Sequence, residues 1–367
     1  MPKRGGDTGI RMIIAGGGTG GHLFPAVAIA KEVSTREEAA QILFVTGRRR
    51  MESEVLARYG FRQVAIGVEG LKGRGWKRGA LTLLRLPWGL FQALSILRGV
   101  SPHLVLGVGG YSSGPVCVGA KLMGIPCAIQ EQNSFPGLTN RLLGRIVDRV
   151  FISFEESRRH FRCPSVLLTG NPVRKELLKE AAGEKRSGAF SVLVVGGSQG
   201  SRAVNDAFLS ALEHLMGKGK PLQAVHQTGE ADYERVLKVY RGKGLPGEVF
   251  PFIEGMAAAY ARADIVVSRA GATTLSELAA LGKPSILIPY PHAANRHQEL
   301  NAATLVEAGG AEMILQENLS GEALADLLMR YMEDRAALER MAALVKAVGR
   351  PDAVEVIADR LLEMIPR

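Results

Sequence analysis

One sequence pattern occurs twice in this chain. "IIAGGGTGGH" at residues 13–22 is echoed by "VLVVGGSQGSR" at 192–202. Each is a short apolar run, then a glycine-rich turn, then the opening of a helix. That is how the first strand of a doubly wound parallel sheet reads, its bare turn letting an anion approach a helix N-terminus. Two such signatures about 180 residues apart predict two Rossmann-like domains rather than one large sheet. At 367 residues the chain is long enough for both.

The rest of the sequence keeps that rhythm. Strand-like runs fall at Met12–Ala15, Ile42–Thr46, Leu104–Gly107, Cys127–Gln130, Arg149–Ser153, Val192–Val195, Gln223–Gln227, Ile265–Ser268 and Ser285–Pro289. Between them lie helical patterns such as Pro25–Val33 and Ala203–Met216, with apolar residues three and four apart. Short apolar strands alternating with amphipathic helices mean an α/β fold of parallel sheets covered on both faces. Glycine, proline and charge cluster in "LLTGNPVRKELLKEAAGEKRSG", 167–188, which predicts domains at 1–172 and 173–349. A last amphipathic helix, about 350–367, is expected to pack back on the first.

Hydrophobic residues make up 46% of the chain and charged ones 22%, enough to fold around a buried core. The five-residue apolar run after the basic amino terminus is too short for a secretory signal, and no run of eighteen apolar residues appears. Cys117, Cys127 and Cys163 form no C-x-x-C pair and read as reduced core thiols of a cytosolic protein. The net charge of +10 predicts an anionic partner, whether nucleic acid, nucleotide phosphate or acidic lipid.

Gly16, Gly18 and Gly21 satisfy G-x-G-x-x-G directly after a strand. A dinucleotide fold then wants a carboxylate at the end of the second strand, but "QILFVTGRRR" ends in Thr46, Gly47 and Arg48. NAD is excluded, and the arginines leave an NADP-dependent oxidoreductase open. Against it stand two more loops of the same kind, "GVGGYSSGP" at 107–115 and "GGSQGS" at 196–201. Three anion-ready loops suit two phosphate-bearing substrates better than one dinucleotide. In "SRAGATTLSELAALGKP", 268–284, Thr273, Thr274 and Ser276 open a helix at another anion site. Glu277 lies one turn inside it, able to accept from two vicinal ribose hydroxyls. The amides Asn295, Gln298 and Asn301 suit sugar hydroxyls.

"LKGRGWKRGALTLLRLPWGLFQALSILRG", 71–99, carries six basic residues and no acidic ones, with both tryptophans interleaved. Trp76, Lys77, Arg78, Arg85, Trp88 and Phe91 are expected to dock on an anionic membrane surface. No nucleic-acid-binding motif accompanies the charge. A basic, membrane-associated adaptor that binds a nucleotide-sugar without turnover also fits these features.

The ordered motifs "GGGTGGHLFPAVAIA", "GVGGYSSGP", "EQNSFPGLTNR", "GNPVR", "GGSQGSRAVN", "HQTG", "FIEGM", "SRAGATTLSELAALGKP" and "HQELNA" together resemble the MurG family of glycosyltransferases. The resemblance covers nearly the whole chain. It implies the GT-B fold, two Rossmann-like domains facing across a cleft, and transfer of N-acetylglucosamine from UDP-GlcNAc. The implied acceptor is the MurNAc C4 hydroxyl of undecaprenyl-pyrophosphoryl-MurNAc-pentapeptide, lipid I, which becomes lipid II for peptidoglycan. It further implies a peripheral protein on the cytoplasmic face of the cell membrane, beside other cell-wall synthesis proteins.

Carried over to this sequence, the resemblance implies donor contacts from Thr19, Gly20, Gly21, Asn133, Arg174, Ser198 and the backbone of Ile253. Ala272, Thr273, Thr274, Leu275, Ser276, Glu277 and Gln298 complete them. Acceptor contacts fall on Gly18, Gly109, Gly110, Tyr111 and Ser112. The chain departs from some relatives at Gln130, where they carry histidine. It contains no D-x-D motif, so backbone N–H groups, helix dipoles and Arg174 are expected to neutralise the diphosphate without an obligatory metal or other cofactor. His22, at the exit of the first glycine loop, is the expected general base, with Glu131 the second candidate.

Overall fold

The computed structural model describes residues 9–67, 75–180, 188–197 and 199–366, with the side chains of 75–86 excepted. The chain divides into two compact units. One takes in the residues up to Pro172 together with those from Asp352 onward, and the other runs Val173–Pro351.

The first unit holds seven parallel strands among the described residues. They are β1 (Arg11–Ala15), β2 (Gln41–Thr46), β3 (Arg62–Ala65), β4 (Leu104–Gly107), β5 (Cys127–Glu131), β6 (Arg149–Ile152) and β7 (Val166–Leu168). Their order is β3-β2-β1-β4-β5-β6-β7. The chain therefore leaves β1 toward one edge and returns to β4 on its other side. That reversal is a topological switch point, the place where open α/β sheets bind ligands at the carboxyl ends of their strands. Ala15 pairs with both Val45 and Gly107, so the loops after β1, β2 and β4 emerge together.

The second unit repeats the plan with β8 (Ser191–Val195), β9 (Gln223–Gln227), β10 (Gly247–Phe250), β11 (Ile265–Ser268), β12 (Ser285–Leu287) and β13 (Ala311–Met313). Their order is β10-β9-β8-β11-β12-β13, again parallel throughout. Its switch point lies between β8 and β11, where Val195 pairs with Ser268.

Central strands are buried on both faces, as their continuous apolar runs require. In the first unit one face of the sheet packs Met12, Ile14, Phe44 and Leu106 against Leu23, Val27 and Ile29 of helix Gly20–Arg36. The helix extends beyond the 25–33 periodicity at both ends and accommodates Pro25, whose ring removes one backbone donor. Helix Ala353–Leu362 buries Ile357, Ala358 and Leu361 in that same cluster, and Arg36 pairs with its Asp359. Helix Gly75–Val100 lies on helix Ser113–Leu122 at Gly119, where an added Cβ would meet Leu97 Cδ1 at 2.9 Å. Leucine packing fixes its inner face. Among the described residues, no helix is long and apolar enough to cross a membrane.

A buried polar network stitches the second unit. His226 is fully buried on β9, its ring nitrogens against Tyr240 Oη at 3.2 Å and Asn205 Oδ1 at 3.1 Å. Asn205 donates onward to the Thr228 carbonyl and to Asp232. Burial pushes the His226 pKa from 6.5 to about 3. The unfolded chain therefore takes up a proton below pH 6.5 that the folded chain refuses, so stability falls as pH drops through that window and is complete above it. We expect a loss of about 1.4 kcal/mol per pH unit, roughly 2 kcal/mol by pH 5. Urea midpoints at pH 7.5 and 5 measure it, and the His226→Gln variant should lose this share of the pH dependence.

Candidate active site

The first glycine loop turns on three consecutive residues of positive φ, Gly16 (146°), Gly17 (147°) and Gly18 (94°). Side chains at the first two are excluded by close neighbours. A Cβ on Gly16 would stand 2.5 Å from the Gly109 carbonyl oxygen, and one on Gly17 2.5 Å from Glu52 Oε1. Gly18 has open space around its Cα and stands at the mouth of the switch point. Thr19 then caps helix Gly20–Arg36 without its side chain accepting a bond, leaving the dipole end bare.

Two observations remove the dinucleotide reading. The Gly18 N–H already donates to the buried carboxylate of Glu52, so a protein carboxylate holds the place of an incoming phosphate. Gly21, the third glycine of the fingerprint, is exposed, whereas that position in a dinucleotide fold serves close helix–strand packing.

His22 enters the site from the first turn of the helix. Its ring lies against Gly109, where a Cβ would meet His22 Cε1 at 3.0 Å, and its Nδ1 is 2.8 Å from Gln132 Oε1. Gly110 presses on the backbone of Gly17, 2.6 Å from its carbonyl oxygen if given a Cβ. Ser112 is buried and Tyr111 exposed beside them. Glu131 is 1% exposed and spends both oxygens on its own loop. Oε1 accepts from Asn133 N at 2.9 Å and Asn133 Nδ2 at 3.2 Å; Oε2 accepts from Gly137 N at 3.2 Å and Asn140 Nδ2 at 2.9 Å.

The second unit builds its own site from the same parts. Gly197 (φ 94°) is open, as Gly18 is, while Gly200 and Gly229 meet backbone to backbone across the loops after β8 and β9. Helix Ala272–Leu281 starts at Gly271 without a side-chain cap. Glu277, 9% exposed, accepts from Tyr260 Oη at 3.0 Å and stands 3.9 Å from Arg174 Nη2. Burial raises its pKa, against the pull of Arg174 and the tyrosine hydroxyl. It is no solvated surface carboxylate.

Other predicted residues fall less simply. Leu275 is buried at 1%, so only its backbone can reach a ligand. Ser276 Oγ bonds the Ala272 carbonyl within the helix, while Thr273 Oγ1 is buried with no partner. The Ile253 N–H is taken by Gln227 Oε1 at 2.9 Å, which leaves its carbonyl to read a base. Gln298 Oε1 accepts from Tyr290 N at 2.9 Å. Asn301 is fully buried, its amide turned toward the Ala270 carbonyl, and Asn295 is exposed at φ 55°. Thr19, Gly20, Gly21 and Asn133 belong to the first unit, whereas Arg174, Ile253, Ala272–Glu277 and Gln298 belong to the second. Ser198 lies outside the described residues, as do the side chains of Trp76, Lys77, Arg78 and Arg85. Trp88 and Phe91 are 57% and 58% exposed, their rings stacked at 5.5 Å.

Sequence reasoning gave no role to Glu52, Gln132 or Arg269. Arg269 leaves β11 at the second switch point and donates to Ser201 Oγ (2.7 Å), Gln316 Oε1 (2.6 Å) and the carbonyls of Ile288 and Pro289 (both 3.1 Å). It ties three loops into one rim. Its place directly after a buried strand was the available signal. Among the described residues, no group of three or more His, Cys, Asp or Glu is placed to hold a metal.

Two doubly wound parallel-sheet units, each with a bare helix N-terminus at its switch point, constitute the GT-B fold of nucleotide-sugar transferases. The family model described as glycosyltransferase family 28 N-terminal domain matches residues 12–152, and that of the C-terminal domain matches 191–357. The UDP-N-acetylglucosamine--N-acetylmuramyl-(pentapeptide) pyrophosphoryl-undecaprenol N-acetylglucosamine transferase of Syntrophus aciditrophicus is 47% identical over 97% of this chain and 99% of its own. The protein of that name from Myxococcus xanthus is 46% identical over 97% of this chain and 93% of its own. The crystal structure of Acinetobacter baumannii MurG superposes with a TM-score of 0.80 at 29% identity, covering 96% of this chain and 99% of that one. The chain belongs to glycosyltransferase family 28 and, within it, to the MurG family.

Proposed function

We propose that the chain transfers N-acetylglucosamine from UDP-GlcNAc to the C4 hydroxyl of MurNAc in undecaprenyl-pyrophosphoryl-MurNAc-pentapeptide, giving lipid II. The first unit takes the acceptor and the second the donor. The observation that carries this reading is the pair of switch-point sites, one presenting an imidazole at an open glycine and the other a buried carboxylate at an uncapped helix.

In the second unit, Glu277 holds the ribose hydroxyls and the amides opening helix Ala272–Leu281 face the diphosphate, with Arg174 adding charge. The Ile253 carbonyl reads uracil, and the amide nitrogen of Gln298 holds a sugar hydroxyl. In the first unit, Gly18, Gly109, Gly110, Tyr111 and Ser112 line the acceptor. His22 Nε2 removes the C4 hydroxyl proton as that oxygen bonds the anomeric carbon. The bond from that carbon to the β-phosphate oxygen breaks, UDP leaves with the electron pair, and the α-linked sugar becomes β-linked. Developing charge on UDP falls on fixed amides and helix dipoles, which need no reorganisation.

Calorimetry with UDP-GlcNAc and NADPH tests the donor, and saturable binding of NADPH alone would end this reading. UDP release on adding a lipid-linked muramoyl acceptor separates a transferase from a binding adaptor.

The acceptor is lipid-anchored, so the protein works as a peripheral enzyme on the cytoplasmic face of the membrane, near other cell-wall enzymes. Trp88 and Phe91, stacked outward on a helix whose inner leucines are packed, support docking by segment 71–99. Replacing Lys77, Arg78 and Arg85 by Glu is expected to weaken binding to anionic vesicles by at least roughly a hundredfold at low salt, at about 1 kcal/mol per basic residue. Unchanged co-sedimentation would remove the docking surface.

A further inference from the structure

We infer that Gln132 is the positioning residue that sets the tautomer of His22, an inference that rests on His22 acting as the base. Gln132 is 2% exposed, just beyond β5. Its Nε2 donates to the Val108 carbonyl at 3.0 Å and to Gln130 Oε1. A backbone carbonyl carries no proton, so the amide nitrogen must face Val108 and the amide oxygen must face His22. That oxygen is 2.8 Å from His22 Nδ1 and also carries no proton. The hydrogen between them therefore belongs to Nδ1, and the neutral ring keeps its lone pair on Nε2.

Neighbouring groups hold this arrangement in place. Gln130 is itself oriented, donating at 3.2 Å to Ser153 Oγ and at 3.2 Å to Asn171 Oδ1. The ring of His22 lies on Gly109, whose φ of 92° and missing Cβ admit it. Turning the ring over would set a carbon against Gln132 Oε1 and forfeit the bond. A buried polar chain thus runs from Asn171 through Gln130 and Gln132 to His22, and the Val108 carbonyl decides its direction.

Hydrolytic triads orient their histidine with a carboxylate, which also stabilises the imidazolium. An amide orients without adding charge. The base here is aimed by geometry alone.

Protein with 15N-labelled histidine reads the tautomer directly by NMR. The expected spectrum at pH 8 has His22 Nδ1 protonated and Nε2 bare; a proton on Nε2 overturns the inference without any variant. In Gln132→Met the preference should vanish and turnover fall about a hundredfold, with UDP-GlcNAc KM unchanged. In Gln132→Glu one oxygen still accepts from Nδ1–H while the other must keep a proton to donate to the Val108 carbonyl, so turnover should recover above the Gln132→Met level with the UDP-GlcNAc KM unchanged. Wild-type turnover in Gln132→Met, or no recovery in Gln132→Glu, overturns the positioning role. Undiminished turnover in His22→Ala overturns the base reading and the inference with it, a result neither Gln132 variant can mimic.

Discussion

His22→Ala is expected to lower turnover by about 10²–10⁴-fold while leaving the UDP-GlcNAc dissociation constant within about twofold. The size follows from what the side chain does. Without a base, the acceptor hydroxyl must attack while still protonated, and the proton passes to water in a separate, costlier step. The donor should be held almost as tightly, because the contacts proposed for its uracil, ribose and diphosphate, at Ile253, Glu277, Arg174 and the start of helix Ala272–Leu281, belong to the second unit and His22 to the first. Folding should not notice it either, since the ring is half-buried and makes one side-chain bond, to Gln132. Steady-state kinetics with calorimetry on the same variant separate the two effects. Near-normal turnover would remove His22 from the chemistry.

Glu131→Ala should behave differently, with its first effect on stability. Deleting the carboxylate removes four hydrogen bonds that hold this stretch together, from Asn133 N, Asn133 Nδ2, Gly137 N and Asn140 Nδ2. Losing four bonds to a buried charged acceptor, one of them buried and three part-buried, costs about 3–5 kcal/mol together, which lowers Tm by roughly 10 °C for a unit of this size. Turnover falls too, because the same stretch of chain carries Gln132. A calorimetric scan checks the ordering. A variant that melts like wild type yet is inactive would return Glu131 to the list of candidate bases.

The nine strands read from apolar runs are the interior strands of both sheets, β1, β2, β4, β5, β6, β8, β9, β11 and β12. The four the runs did not reveal, β3, β7, β10 and β13, are the edges. An edge strand is covered less fully, and β3 reads "RQVA" with three exposed residues. Nothing in its composition separates it from a loop. Helix ends show the same limit. Leu23, Val27 and Val33 mark the periodic face of helix Gly20–Arg36, but its first turn is glycine and histidine, chosen by the site rather than by propensity.

The site was legible wherever chemistry leaves a local mark. Glycines that need positive φ, hydroxyls at a helix start and a histidine beside them stand in short stretches that anyone can read. Glu52 and Gln132 carry no such mark. Glu52 reaches the Gly18 amide from 34 residues away, and Gln132 meets His22 across 110.

Local order along the chain was enough to announce two parallel sheets and their anion-ready turns, because strand, turn and helix start are neighbours in covalent sequence. Which turns share a switch point, which amides are already spent on a carboxylate, and which nitrogen of His22 stays bare depended on strand order. Those are contacts between distant segments, and their energy exists only once the sheets have brought the segments together.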